Sequence, residues 1–353
     1  MIFGKKTRIL LGLDITTSSI KLVELAQVGR GYRVESYAAE PTPANSINDK
    51  AIVDAQAVGE AIRRAVKRSG SKSRDVAIAI SGDAAITKTI QMPASLSEGD
   101  MEGQVEIQAD QYIPFPMEEV SHDFQVIGPN EADPDMNDVL LVATRTDNVD
   151  QREAAVASAG LKSAVVDVEA FALENACRLL SHQIPNNGIG QSVAVVDIGA
   201  SNTTFGVLRD MKVIYTRDFA FGGQQLTEEI MRTYGLSVED AGRAKKEGGL
   251  PSNYEPEVLD PFIDDVTQQV SRSLQFYLAS GGGREQPDMV LVCGGCANIP
   301  GIADVIASRV GIPTEIGDPL GQMKVSSRAK SQGVERDASA LLTALGLALR
   351  SFD

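Results

Sequence analysis

Short apolar runs separated by polar turns open the chain, and stripes of helical period come between the later ones. Ile9–Ile15, Ile20–Ala26 and Tyr32–Glu40 read as a three-stranded meander closed by Pro41 and Pro43. Val53, Ala57, Val58, Ala61, Ile62, Ala65 and Val66 recur at helical spacing, which predicts a helix over about 53–69. "DVAIAI" follows as a continuous apolar run, the mark of a parallel strand buried on both faces. Met101, Val105, Ala109 and Tyr112 predict a further helix, which Pro114 and Pro116 must end because neither donates a backbone hydrogen bond. Strands at 122–128 and 139–145, a helix at 148–159 and a strand at 161–168 complete a compact α/β insertion. The helix 169–180 returns to the main body, and "SHQIPNNGIGQ" reads as a linker.

The pattern then repeats. "VAVVDIGASNTTFGVL" at 193–208 registers without a gap on "LLGLDITTSSIKLVEL" at 10–25, setting Asp197 on Asp14 and Ser201 on Ser18. A third strand follows each copy, so the chain is built on a duplicated unit. A mostly helical stretch at 224–280 splits the second half, with Phe262, Val266, Val270, Leu274, Tyr277 and Leu278 on one face as core. "DMVLVCGGCANIPG" then reads as strand and glycine turn, and "DASALLTALGLALR" as a C-terminal helix packing back across the hinge.

The 353 residues exceed one comfortable core, and no apolar run approaches a membrane span. The opening "MIFGKKTRILLGLDI" lacks signal-peptide architecture, and three cysteines fit a reducing compartment. The formal charge of −15 argues against nucleic acid or an anionic lipid surface as the main partner. Its distribution is uneven: 91–140 holds twelve acids and no Lys or Arg. Such a segment is either a solvated face or a docking surface for a basic peptide.

A strand ending in Asp and turning through small hydroxyl residues presents backbone N–H groups and hydroxyls to phosphate oxygens. Asp14 with Thr16, Thr17, Ser18 and Ser19 makes one such loop; Asp197 with Gly199, Ala200, Ser201, Asn202 and Thr203 makes the other. Asp14 and Asp197 suit Mg²⁺, which takes one or two carboxylates alongside phosphate. Two loops facing each other would clamp a triphosphate. Gly294 and Gly295, at a strand end before a helix, let a base or ribose approach the backbone, and Gly222 and Gly223 end the second meander likewise. Lys245 is a candidate over the base or ribose, beside the plainer reading of a solvated lysine. Cys293 and Cys296 have the C-x-x-C spacing, but with Cys177 and two His residues as the remaining soft ligands a glycine turn explains them better than zinc.

With these loops, the "CGG" turn and the terminal helix, the chain resembles the actin/Hsp70/sugar-kinase nucleotide-binding fold. "ADQYIPFPMEEVSHDFQVIG" and "LLTALGLALRSF" resemble the PilM family of type IV pilus assembly proteins, relatives of the cell-division protein FtsA. The resemblance implies two duplicated α/β lobes flanking a nucleotide cleft, with a small insertion subdomain. The ranges are 8–90, 167–190 and 333–353 for the first lobe, 91–166 for the insertion, and 191–223, 224–284 and 285–332 for the second. It implies ATP and Mg²⁺ as ligands, Lys21 behind the first loop, an adenosine turn at 294–298 that includes Cys296 and Asn298, and Glu169 in the region that positions water. It also implies a cytoplasmic protein, held peripherally at the inner membrane by the basic N-terminal tail of a PilN-like partner and connected to other pilus and motor components, with self-association open. Two positions depart from relatives: Thr16 stands where Gly is usual, and Gly242 where a ribose-contacting Glu is frequent. The alternatives are a small-molecule kinase, for which the insertion offers no evident general base, and an FtsA-like filament protein, whose amphipathic membrane-targeting terminus is missing from "LALRSFD".

Overall fold

The computed structural model describes residues 8–353 apart from 49 and 281–284; the leader reading of the first seven residues lies outside the described residues. In chain order the first lobe begins with β1 (Leu11–Ile15), β2 (Ser19–Val28), β3 (Gly31–Pro41), the short hairpin β4 (Ile47–Asn48) and β5 (Ala51–Ile52), α1 (Ala55–Ser69) and β6 (Asp75–Ile80). Then come β7 (Ile86–Pro93), α2 (Glu98–Ala109), β8 (Val120–Pro129), β9 (Met136–Arg145), α3 (Thr146–Ser158), β10 (Lys162–Val168) and α4 (Glu169–Leu180). The second half has β11 (Ser192–Ile198), β12 (Thr203–Arg209), β13 (Lys212–Phe219), α5 (Gly223–Tyr234), α6 (Val238–Glu247), α7 (Asp260–Ala279), β14 (Met289–Cys293), α8 (Ile302–Val310) and β15 (Thr314–Ile316). β16 (Lys324–Val325), α9 (Ser327–Ser331) and α10 (Leu342–Leu349) close the chain.

Alternation along the strands buries both faces of each main sheet. The first sheet has the order β10-β6-β1-β2-β3-β16. Ile20 and Leu22 of β2 pack with Val58, Ile62 and Val156 from α1 and α3, while Val23 and Leu25 point the other way, toward Leu345 and Leu349 of α10. The second sheet has the order β13-β12-β11-β14-β15. Val196 and Ile198 face Leu226 and Val266 of α5 and α7, while Val193 and Val195 face Leu173, Cys177 and Leu180 of α4. Leu342 of α10 joins that last cluster, so α4 and α10 are the layer between the two sheets. Backbone contact makes this layer tight: a Cβ at Gly12 would collide with the carbonyl of Ala344, and one at Gly346 with that of Ala172. The packing expected of the C-terminal helix is present.

Some boundaries differ from expectation. The insertion is the antiparallel sheet β7-β9-β8 with α2, so it occupies 86–145 and not 91–166. β7 begins at Ile86, and its Ile90 enters the insertion core before the charge bias begins, whereas β10 pairs with β6 in the main sheet. Composition marked the acids and not the point where the backbone leaves the sheet. Residues 324–331 belong to the first lobe, because β16 pairs with β3, so the return precedes residue 333. Tyr112 lies beyond the end of α2 and is exposed; Ile113 takes the buried place instead. Val53 is exposed ahead of the N-cap Asp54, whose carboxylate accepts the N–H of Ala57 and so begins α1 after it. The 181–191 linker consists of ordered turns, with Ile184 buried.

Candidate nucleotide site

Both Asp loops close with the same turn. The N–H of Thr16 donates to Ser19 O at 3.1 Å, and 183 positions later that of Gly199 donates to Asn202 O at 3.0 Å. Asp14 pairs with Lys21 across β1 and β2, as Asp197 pairs with Thr204 across β11 and β12. The loops touch: Thr17 Oγ1 and Ser201 Oγ share a hydrogen bond of 2.7 Å. A duplicated hairpin therefore aims its two bends at each other.

The copies differ where sequence differs. Thr16 uses its hydroxyl inside its own loop, donating to Ser19 O at 2.9 Å and accepting the Ser19 N–H at 3.2 Å. That bond engages a backbone donor which a glycine at 16 would leave open. In the second loop a Cβ at Gly199 would press on Asn202 O, so glycine keeps that turn compact. Thr203 is buried and donates to Phe221 O, which makes it part of the loop's support; Ser18 is exposed.

The carboxylates have unequal company. Lys21 Nζ lies 2.8 Å from Asp14 Oδ2; burial disfavours the ammonium, but Asp14 and then Asp197 outweigh it and raise the lysine's pKa. Asp197 receives no hydrogen bond from a described residue, and burial, reinforced by the charges of Asp14 and Asp218, raises it to about 6 against the pull of Lys21. Glu169, opening α4, is raised to about 7, again chiefly by burial, with Lys50 opposing and Asp14 and Asp218 adding. Asp14, Asp83, Glu169, Asp197 and Asp218 thus share a field with Lys21, Lys50 and Arg152, and Asp337 adds to it at Lys21, so carboxylates outnumber cations.

On the other side Gly294 has φ 89°, and a Cβ there would strike Ile198 O and the Asp197 carboxylate. Only glycine fits a left-handed turn pressed that closely on a neighbouring backbone. Its N–H donates to Ser339 O at 2.7 Å, and Asn298 Nδ2 donates to Arg336 O at 3.3 Å. Gly295 has open space where a side chain would stand. Gly222 lies against the carbonyls of Gly199 and Ala200; Gly223 N–H donates to Gly199 O at 3.0 Å, and Gln224 N–H to Ala200 O at 2.7 Å. Cys296 is buried with Sγ 3.6 Å from Gly199 O, a structural thiol raised to about 11 by burial. Lys245 donates to Gly223 O and Thr227 Oγ1, each at 2.7 Å, and burial lowers its pKa. It is a partly desolvated cation at the start of α5, not a solvated one. The candidates of both loops, the glycine turns and Lys245 therefore gather between the lobes. Lys50, Arg152 and Asp218 join them without having been singled out; the one hint was that Asp218 ends the third strand of the repeat.

Among the described residues no cluster of three or more His, Cys, Asp or Glu is arranged to hold a metal alone. That is compatible with Mg²⁺, which relies on phosphate and water for most of its shell. An unpaired desolvated carboxylate within a surplus of negative charge fits such a cation. Elsewhere, a cavity of about 640 Å³ lined by Arg33, Glu35, Lys324 and Lys330 opens on the β3–β16 edge, away from these loops.

Two duplicated lobes joined through α4 and α10, with paired Asp hairpins between them, define an actin-like ATPase fold. MreB5 of Spiroplasma citri, solved bound to ADP, shares it at a TM-score of 0.51 and 14% identity over 97% of this chain and 95% of that one. A family model described as type IV pilus assembly protein PilM matches residues 12–352, and the chain belongs to that family. A solved PilM–PilN type IV pilus biogenesis complex superposes at a TM-score of 0.79, with 28% identity, over 98% of this chain and 99% of that one. Cell division protein FtsA of Bacillus subtilis (strain 168) is 24% identical over 359 residues, covering 87% of this chain and 79% of FtsA.

Proposed function

We propose that this type IV pilus assembly protein binds Mg-ATP between its lobes and is a cytoplasmic adaptor that docks the basic N-terminal tail of a PilN-like inner-membrane protein. The observation that carries the nucleotide reading is the Thr17–Ser201 contact, which sets the two Asp hairpins face to face. Asp14 and Asp197 would hold the cation, and the hydroxyls of Thr17, Ser18 and Ser201 would meet the phosphates. Gly294, Gly295, Gly222 and Gly223 would leave room for the adenosine. Bound Mg²⁺ would supply the positive charge that lets a polyphosphate lie against these carboxylates. Glu169 is the candidate for polarising water, and slow turnover suits a protein whose nucleotide sets shape.

The partner reading is supported by the PilM–PilN relative and by the insertion, whose acids from Asp100 to Asp135 are exposed. No helix among the described residues is long and apolar enough to cross a membrane, so membrane association would run through the partner, as would links to motor components. Calorimetry with a synthetic PilN-like tail peptide tests this. Binding at a single site, with a Kd that changes when Mg-ATP is present, is expected; no binding heat in either condition would overturn it.

A further inference from the structure

Lys50 lies at the tip of the β4–β5 hairpin with φ 65°. Its Nζ donates to Asp218 Oδ2 at 2.7 Å and Ser81 Oγ at 2.8 Å, and lies 3.3 Å from Asp83 Oδ1. Ser81 and Asp83 follow β6 in the first lobe, whereas Asp218 is on β13 of the second. One ammonium thus ties the lobes together.

Both ends of the tie are braced. Arg152 of α3, buried, donates to Lys50 O at 3.2 Å and to Ala79 O at 2.8 Å, which pins the hairpin to the end of β6. Asp218 accepts Thr204 Oγ1 at 2.7 Å, and Thr204 is the cross-strand partner of Asp197. The Lys50 and Asp218 side chains are 17% and 16% exposed, so the pair is largely withdrawn from water. Separating such a pair strands two poorly solvated charges, unlike the loss of a surface ion pair. The contact between the lobes at the loops, Thr17–Ser201, is neutral, and the bonds that Glu174 of α4 makes to the second lobe, accepting the Val213 N–H at 2.8 Å and pairing with the exposed Lys212 at 3.2 Å, lie at the opposite end of β13 from Asp218.

We propose that Lys50–Asp218 is an interlobe latch that sets how readily the lobes part and therefore how fast nucleotide leaves. The second half of the statement rests on the nucleotide reading above; the first does not. Ser81 and Asp83 hold the ammonium on the first lobe's side, so the latch breaks at Asp218.

A double-mutant cycle tests it with two readouts: Lys50→Met, Asp218→Asn and the combined variant, with Lys50→Arg as the folding control. Cys177, Cys293 and Cys296 are buried, so dyes on Lys72→Cys and Lys246→Cys, both exposed, report the distance between lobes by single-molecule energy transfer. Each single variant is expected to broaden the distance distribution and to release a fluorescent ATP analogue about tenfold faster, the combined variant no faster than either, since one pair is lost in each case. A distribution that follows the cycle in a protein that binds no nucleotide would keep the latch and remove the nucleotide reading. Unchanged distributions, multiplicative effects in the combined variant, or an effect of Lys50→Met alone would overturn the latch.

Discussion

Glu169 and Asp197 are the carboxyls that burial moves furthest from their ordinary behaviour. Glu169 titrates at about 7 against 4.5 for a free side chain, and Asp197 at about 6 against 3.8. A carboxyl whose pKa is raised on folding binds its proton in the folded chain at pH values where the unfolded chain has lost it. Stability from that group is complete below the unfolded pKa and falls as pH rises through the folded one. For Glu169 the fall runs from about pH 4.5 to 7, for Asp197 from about 3.8 to 6. Glu169→Gln removes the first contribution, so without Mg²⁺ its Tm should gain on the native protein as pH rises from 5 to 8. Parallel Tm curves across that range would show that Glu169 titrates normally.

At the scale of elements, the layer of α4 and α10 sets where the two sheets stand. Gly346 of α10 and the Ala172 carbonyl of α4 are in backbone contact, so Gly346→Ala must push the helices apart or bend one. Overpacking there should cost about 1–3 kcal/mol, read as a lower urea midpoint. An unaltered midpoint would mean that the layer yields easily. The same scale explains what was legible in the sequence. The repeat showed because each hairpin of β1–β2 and β11–β12 has continuous apolar strands and an Asp at the same step. β7 did not, because Thr87, Lys88, Thr89 and Gln91 leave no apolar run, and its pairing with β9 is a tertiary fact. β16 has two residues and no periodicity to read. Lys50 and Asp218 are 168 residues apart with no pattern joining them, so only the folded chain brings them together.

For the whole molecule, charge is divided between the region between the lobes, where carboxylates outnumber the cations set among them, and an insertion with exposed acids. Glu118 and Glu119 are exposed beside β8, and Glu119 lies 3.9 Å from Arg145, a separation too loose to neutralise it. Reversing both, Glu118→Lys with Glu119→Lys, should weaken the basic tail about tenfold at low salt and flatten its salt dependence, leaving Tm nearly unchanged. Equal affinity and an equal salt slope would make these acids a solvated face only. Charge reversal at the insertion should leave nucleotide affinity alone, because the two sites share no described residue.

The most direct test of the paired-hairpin site is calorimetric titration of ATP into the native protein and Asp197→Ala, with and without Mg²⁺. Expected are binding by the native protein that depends on Mg²⁺ and at least about a tenfold loss in the variant with no loss of Tm. Equal affinities in the two proteins with Mg²⁺ present would contradict the assignment of Asp197 to the cation, and with it the claim that the two hairpins grip one polyphosphate.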